Sequence, residues 1–239
     1  MLPHTAPAAS PFLIYPDSDG KPMAENTKQL RWIVALFGNL CALFRDVLDV
    51  FIGADLLWYP VEGHPEVRLA PDVFAVFGRP KGDRGSYMQW LEAGVPLTVV
   101  FEILSPGNTA EEMIDKHAFH EDHGVEEYYV YNPDTNRLHV YLRKDDQLLR
   151  RRFAKEFISP RLGVRFDLSE PEMVVYYPDG RRFLSFEELE AARVSAEQRA
   201  DKAEQRARRL ATLARAARLG QASPDELAEL EQLERDLSS

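Results

Sequence analysis

The sequence predicts an α/β fold: a mixed β-sheet flanked by helices, followed by one long C-terminal helix. Three observations carry this. Val99 to Leu104 is a continuous apolar run, the mark of a central strand buried on both faces. Segments of helical and strand period alternate around it, as in a sheet covered by helices. From Phe186 onward the apolar runs stop and a seven-residue repeat takes over.

Taken in order, residues 1–21 are rich in proline and small residues and read as an extended arm. Leu30, Ile33, Val34, Phe37, Leu40, Cys41 and Phe44 recur at helical spacing, so a first helix is predicted over 25–44. Val50 to Tyr59 and Leu69 to Phe77 are β-rich and close enough to pair as a hairpin. Ser105-Pro106-Gly107-Asn108-Thr109 ends the central strand. Asn108 or Thr109 caps a second helix, which stops at Gly124. Glu127 to Tyr131 is a strand, and Leu138 to Leu142 with Gln147 to Phe153 form a hairpin. Short strands follow near 164–168 and 173–177. Small or apolar residues at 196, 200, 203, 207, 210, 214 and 217 make a heptad seam, mostly of alanine. Ser223-Pro224 opens a last helix. The expected organisation is an arm at 1–21, a domain at 22–185 and a helical extension at 186–239.

Composition narrows the function. A chain of 239 residues with 45% apolar content suits one main domain with an appendage. The charge of -10 and pI near 5.2 argue against non-specific avidity for nucleic acid or anionic membranes, though not against a local basic groove. The single cysteine, Cys41, excludes an internal disulfide and suits a cytoplasmic location. The N-terminus has no signal-peptide pattern, and no apolar run is long enough to span a bilayer.

Two carboxylates stand out. Glu102 lies inside the buried run, where an unpaired charge costs several kcal/mol. Asp72, in Pro71-Asp72, opens the run Val73 to Phe77. Lys116 follows on the second helix. Two acids and a lysine meeting at a sheet edge suit phosphodiester hydrolysis with magnesium or manganese held by oxygen ligands. The plain alternative makes Asp72 an Asx-turn residue. Glu25 has two readings, an acid beside a helix N-terminus or a third acid in the site. Lys81 and Arg84 lie in a Gly-rich loop that is either solvated or touches phosphate. His117, His120 and His123 read as a solvated helix face rather than a zinc site, because their spacing drifts around the helix.

These residues carry a resemblance. Pro71-Asp72-Val73, Val100 to Pro106, Lys116 and Gly124 to Tyr129 resemble the Uma-type restriction endonucleases of the PD-(D/E)XK nuclease superfamily. The resemblance covers roughly residues 12–190. It implies a restriction-endonuclease-like core and a DNA substrate. It makes Asp72 and Glu102 the metal carboxylates, the backbone carbonyl of Ile103 a further ligand and Lys116 the assisting lysine. The superfamily's lysine two residues after the second acid is here Leu104; the resemblance places that role on Lys116. The family often has Asp where this chain has Glu112, and Tyr where it has His120. The resulting expectation is a metal-dependent DNA endonuclease, with homodimerisation through the heptad helix as an option. The rival is a non-catalytic module of the same fold that binds a partner protein through that helix.

Overall fold

The computed structural model describes residues 13–18, 20 and 22–237, so the expected arm lies largely outside the described residues. The chain divides into two compact units, one ending at Ser185 and one beginning at Phe186.

The first unit is built on a six-stranded mixed sheet. The first helix, α1 (Thr27–Leu43), starts two residues later than predicted. The reason is its cap: extended Asn26 accepts a hydrogen bond from the Gln29 N–H, which leaves Glu25 outside the helix. Its buried face includes Gln29, Ile33, Leu36 and Leu40. β1 (Val50–Gly53) pairs antiparallel with β3 (Val73–Phe77). β3 pairs antiparallel with β5 (Val99–Ile103), and β5 runs parallel to β6 (Glu127–Asn132). Antiparallel β7 (Arg137–Lys144) and β8 (Gln147–Arg151) complete the order β1-β3-β5-β6-β7-β8.

The parallel pair β5–β6 is joined by α2 (Ala110–Asp122), as a crossover requires. Thr109 caps α2, its hydroxyl oxygen accepting from the Glu112 N–H at 3.1 Å. Because side chains alternate along a strand, β5 feeds two cores. Val99, Phe101 and Ile103 join the cluster under α1, and Val100 joins the cluster with Met113 and Phe119 of α2. Glu102 therefore points to the α2 side. A three-stranded sheet of β9 (Glu156–Ile158), β10 (Arg165–Asp167) and β11 (Val174–Tyr176) follows.

The strand predicted over 50–59 is broken. After Gly53 the chain turns through Asp55, whose φ is 47°. The Asp55 N–H donates to the carbonyls of Pro71 at 3.1 Å and Asp72 at 3.3 Å. The remainder, β2 (Trp58–Tyr59), pairs parallel with β4 (Tyr87–Met88) in a small separate sheet. This break ties Asp55 to the backbone at Asp72. Gly53 has its own reason to be glycine: a Cβ there would lie 2.3 Å from the buried Phe74 ring. Gly53→Ala is expected to destabilise the fold by about 1–3 kcal/mol through overpacking. A lowered urea midpoint checks this; an unchanged one would mean the ring can move aside.

The second unit is a helical hairpin of α3 (Phe186–Arg218) and α4 (Pro224–Leu237). Ser223 and Glu226 form a reciprocal capping box at 2.9 and 3.2 Å. Leu213 is the buried side chain of α3, whereas Phe186, Leu189 and Val194 on its first turns are exposed. No helix among the described residues is long and apolar enough to cross a membrane.

Candidate active site

Asp72, Glu102 and Lys116 come together although 44 residues separate the first from the last. The strand pairings bring them there. Asp72 immediately precedes β3, and its Oδ2 accepts the Ile103 N–H at 2.6 Å. Glu102 is the next residue back on β5. Lys116, on the turn of α2 above it, donates from Nζ to Glu102 Oε2 at 2.7 Å. Glu112, one helical turn earlier, lies 3.8 Å from the same nitrogen.

Glu102 is 2% exposed. Burial opposes its charge, but the Lys116 ammonium together with His120 outweighs burial and holds its carboxyl below the usual range. Lys116 is likewise opposed by burial and raised by the carboxylates around it, Glu102 first. Asp72 is pushed up to about 8, first by burial and then by the charge of Glu102; the Ile103 N–H and Lys116 only partly offset this. One lysine thus serves two acids, and Asp72 is the acid left short of positive charge.

His120 corrects the expectation of a solvated histidine face. It is fully buried, stacked parallel to Trp58 with ring centroids 6.2 Å apart and packed on Tyr128 at 4.7 Å. His117 rests on Tyr141 at 4.6 Å and His123 on Phe119 at 4.4 Å. His120 is a core side chain, whereas His117 and His123 are half-buried against aromatic rings. His120 Nε2 is 3.6 Å from Glu102 Oε1, too far for a hydrogen bond. Both atoms are buried without a hydrogen-bond partner.

Asp72 and Lys116 line a cleft of about 750 Å³, with Glu102 buried behind them. Its rim holds Glu25, Asp55, Glu111, Glu112 and Asp115 against the cations Arg68 and Lys116. The Glu25 carboxylate accepts a short hydrogen bond from the Ser105 hydroxyl and packs over Gly107, where a Cβ would meet it at 2.2 Å. Asn108 links this corner to the other side, accepting from the Ser105 N–H at 2.9 Å and donating to Glu112 at 3.2 Å. Gln29 Nε2 donates to the Ile103 carbonyl at 2.9 Å, while its Oε1 accepts from the Glu25 N–H. The carbonyl expected as a ligand therefore already has one partner, with a second lone pair free.

Gln29, Asp55, Ser105 and Asn108 were not singled out by sequence. Gln29 did leave a signal, as a polar residue in register with the buried Ile33, Leu36 and Leu40. Lys81 and Arg84 lie elsewhere. Lys81 caps the C-terminal end of α1, donating to the carbonyls of Phe44 and Arg45. Arg84 is paired with Glu92 at 2.7 Å and lies over the Phe51 ring. Neither lines the acidic cleft.

No group of three or more His, Cys, Asp or Glu poised around a metal exists among the described residues. The donor set is two carboxylates and a carbonyl. That suits magnesium, which keeps several of its waters and takes one or two protein carboxylates. The free lone pairs of Glu102 Oε1 and the uncompensated charge at Asp72 are what a divalent cation would satisfy.

Comparison with known proteins gives the family. A family model, Uma2, described as "Putative restriction endonuclease", matches residues 18–173. The chain belongs to that family. The matched stretch contains Glu25, Asp72, Glu102 and Lys116 and ends before α3. Among solved structures, the crystal structure of a putative nuclease belonging to DUF820 from Anabaena variabilis is similar at 14% identity. That match covers 59% of this chain and 74% of the other, with a TM-score of 0.44. No curated protein matches the chain.

Proposed function

We propose that this Uma2-family nuclease is a metal-dependent endonuclease that hydrolyses phosphodiester bonds in DNA. The observation that carries the reading is a pair of carboxylates sharing one lysine, buried Glu102 ion-paired to Lys116 and Asp72 beside it, with Asp72 and Lys116 lining an open cleft. Asp72, Glu102 and one lone pair of the Ile103 carbonyl would hold magnesium or manganese. The ion supplies a Lewis acid for the phosphate and lowers the pKa of a water bound to it.

The chain's own residues do the rest. The Ile103 N–H keeps Asp72 beside Glu102. Gln29 holds the Ile103 carbonyl, so the peptide groups on both sides of the Ile103 Cα are oriented. Lys116 carries the positive charge closest to Glu102 and lines the cleft, where it offsets charge that develops on the phosphate. The other carboxylates of the rim repel a bare phosphate. Substrate entry is therefore coupled to the presence of a cation.

The test is plasmid nicking with magnesium and with manganese, by the wild type and by Asp72→Asn and Glu102→Gln. Cutting that needs the metal and is lost in both variants is expected. Undiminished cutting by either folded variant would remove these acids from the mechanism.

Cutting both strands needs two sites, and the exposed first turns of α3 favour association of two copies. In a parallel pair, Arg199 of one helix faces Glu204 of the other along the heptad flanks, whereas antiparallel pairing would oppose like charges. Sedimentation of the full chain is expected to show a dimer. Ala200→Glu, which puts a charge in the seam, is expected to shift it to monomer.

A further inference from the structure

In the unit ending at Ser185, most described arginines and lysines are already occupied. Arg31, Arg45, Arg79, Arg84, Arg161, Arg165 and Arg181 each hold a carboxylate. Lys28 and Lys116 do the same, and Arg68, Lys81 and Arg143 donate to backbone carbonyls. The cations to which no such partner is assigned are Arg137, Lys144, Arg150, Arg151, Arg152 and Lys155. All six are exposed, and all lie on or beside the β7–β8 hairpin. Residues 137–155 hold seven arginines and lysines against two aspartates, in a chain of net charge -10.

Register gives this patch a direction. Glu102 pairs with Val130, and Val130 pairs with His139. Directly paired residues share a face, so His139 lies two strands from Glu102 on the same side of the sheet, about 10 Å across. Tyr141 pairs with Arg150, which puts Arg150 on that face one strand further out. Arg137 lies two residues before His139, again on that face, and alternation continues it to Arg152 just past β8. Burial, and then the charges of Arg150 and Arg137, hold the His139 imidazole below its ordinary value.

We propose that this face of the β7–β8 hairpin, with Arg137, His139, Arg150 and Arg152, binds the phosphate backbone of duplex DNA beside the acidic cleft. The inference rests on the nuclease reading above and adds where the substrate is held. The division of labour is physical. A cleft rich in carboxylates can hold a metal but repels the rest of a polyanion, so affinity must come from a neighbouring basic surface. Arginines on the Glu102 face of the sheet place that surface about two to three strand spacings, roughly 10–15 Å, across the sheet from Glu102. Contacts of this kind position a duplex without reading its sequence.

The test measures binding of a labelled duplex of about 30 bp to the full chain carrying Glu102→Gln, in magnesium, over a range of salt. The hairpin variant adds Arg137→Gln, Arg150→Gln and Arg152→Gln. A control of equal net charge adds Arg31→Gln, Arg45→Gln and Arg181→Gln. All six are exposed side chains, and melting curves confirm that each protein is folded. The expected result is a loss of affinity of at least about tenfold in the hairpin variant only, with the salt slope falling by roughly 0.9 for each contact removed. Equal losses in both variants would assign the effect to net charge and overturn the proposal. So would binding that survives in the hairpin variant, or binding to anionic vesicles in place of duplex. Plasmid cleavage by the otherwise wild-type hairpin variant separates the two readings. Metal-dependent cutting with an unchanged KM leaves the nuclease reading intact and sinks only the surface. Absence of cutting and of duplex binding by the wild type sinks both.

Discussion

Lys116→Ala is expected to lower cleavage by about 10²–10³-fold or more, the loss typical of removing one group aimed at developing charge. It is also expected to weaken the metal-free fold by about 3–5 kcal/mol, because it strands a buried carboxylate. Glu102 is 2% exposed and Lys116 is the one side chain hydrogen-bonded to its carboxylate among the described residues, His120 being 3.6 Å away. Adding Glu102→Gln to Lys116→Ala removes the stranded charge. The double variant should recover most of the stability and none of the activity. Urea unfolding in chelator, paired with plasmid nicking, reads both quantities. If the single variant is as stable as the wild type, the pair contributes nothing net to the fold and its role is chemistry alone. If the double variant still cuts, the site lies elsewhere.

Asp72 sets the second large effect, on stability against pH. Its carboxyl titrates at about 8 in the folded chain. In an unfolded chain it titrates near 4, as a free Asp does at about 3.9. The folded state therefore binds this proton more tightly. The stability linked to it is fully present below about pH 4 and is lost as pH rises through about 8, a change of several kcal/mol. Metal-free protein should accordingly melt at a lower temperature at pH 8.5 than at pH 6. Asp72→Asn should flatten that difference and melt higher than wild type at pH 8.5, while losing cleavage. Magnesium should restore the wild-type midpoint at high pH, because the cation replaces the missing proton. A wild-type melting curve independent of pH between 6 and 9, with Asp72→Asn no more stable, would show that Asp72 is not held against Glu102. Carboxylates crowded at the expense of the apo fold are a common mark of a site built for a cation.

Much of the core was legible. The run at Val99 to Leu104 is apolar on both faces, and it is the central strand. The helical period of residues such as Ile33, Phe37 and Leu40 marked α1, although Leu30, Val34 and Phe37 are exposed and the buried face runs through Ile33, Leu36 and Leu40; of the two caps offered for α2, Thr109 is the one. The acids were legible because a carboxylate in such a strand is costly and needs a reason. The break at Asp55 was not legible. The stretch 50–59 has strand composition throughout, and only the bonds from the Asp55 N–H to the carbonyls before β3 decide where it bends. The histidines were misjudged for a related reason. α2 has few aliphatic residues, so its polar appearance hid that His117, His120 and His123 pack on Tyr141, Trp58 and Phe119. Trp58, far away in sequence, makes His120 a core residue.

What the sequence by itself determined is the order of strands and helices, the two acids, the lysine and the heptad period of α3. Each is a local pattern of period, charge or turn chemistry, and such patterns survive without knowledge of neighbours. Tertiary structure alone decided three things. It assigned the one nearby ammonium to Glu102 and left Asp72 to protonate, because which acid is deeper depends on packing. It placed Gln29 on the Ile103 carbonyl, a bond spanning 74 residues. It also occupied most cations of the first unit while leaving Arg137, Arg150 and Arg152 of the β7–β8 hairpin exposed on the Glu102 face of the sheet, since only strand register says which charges meet an opposite charge and which meet solvent.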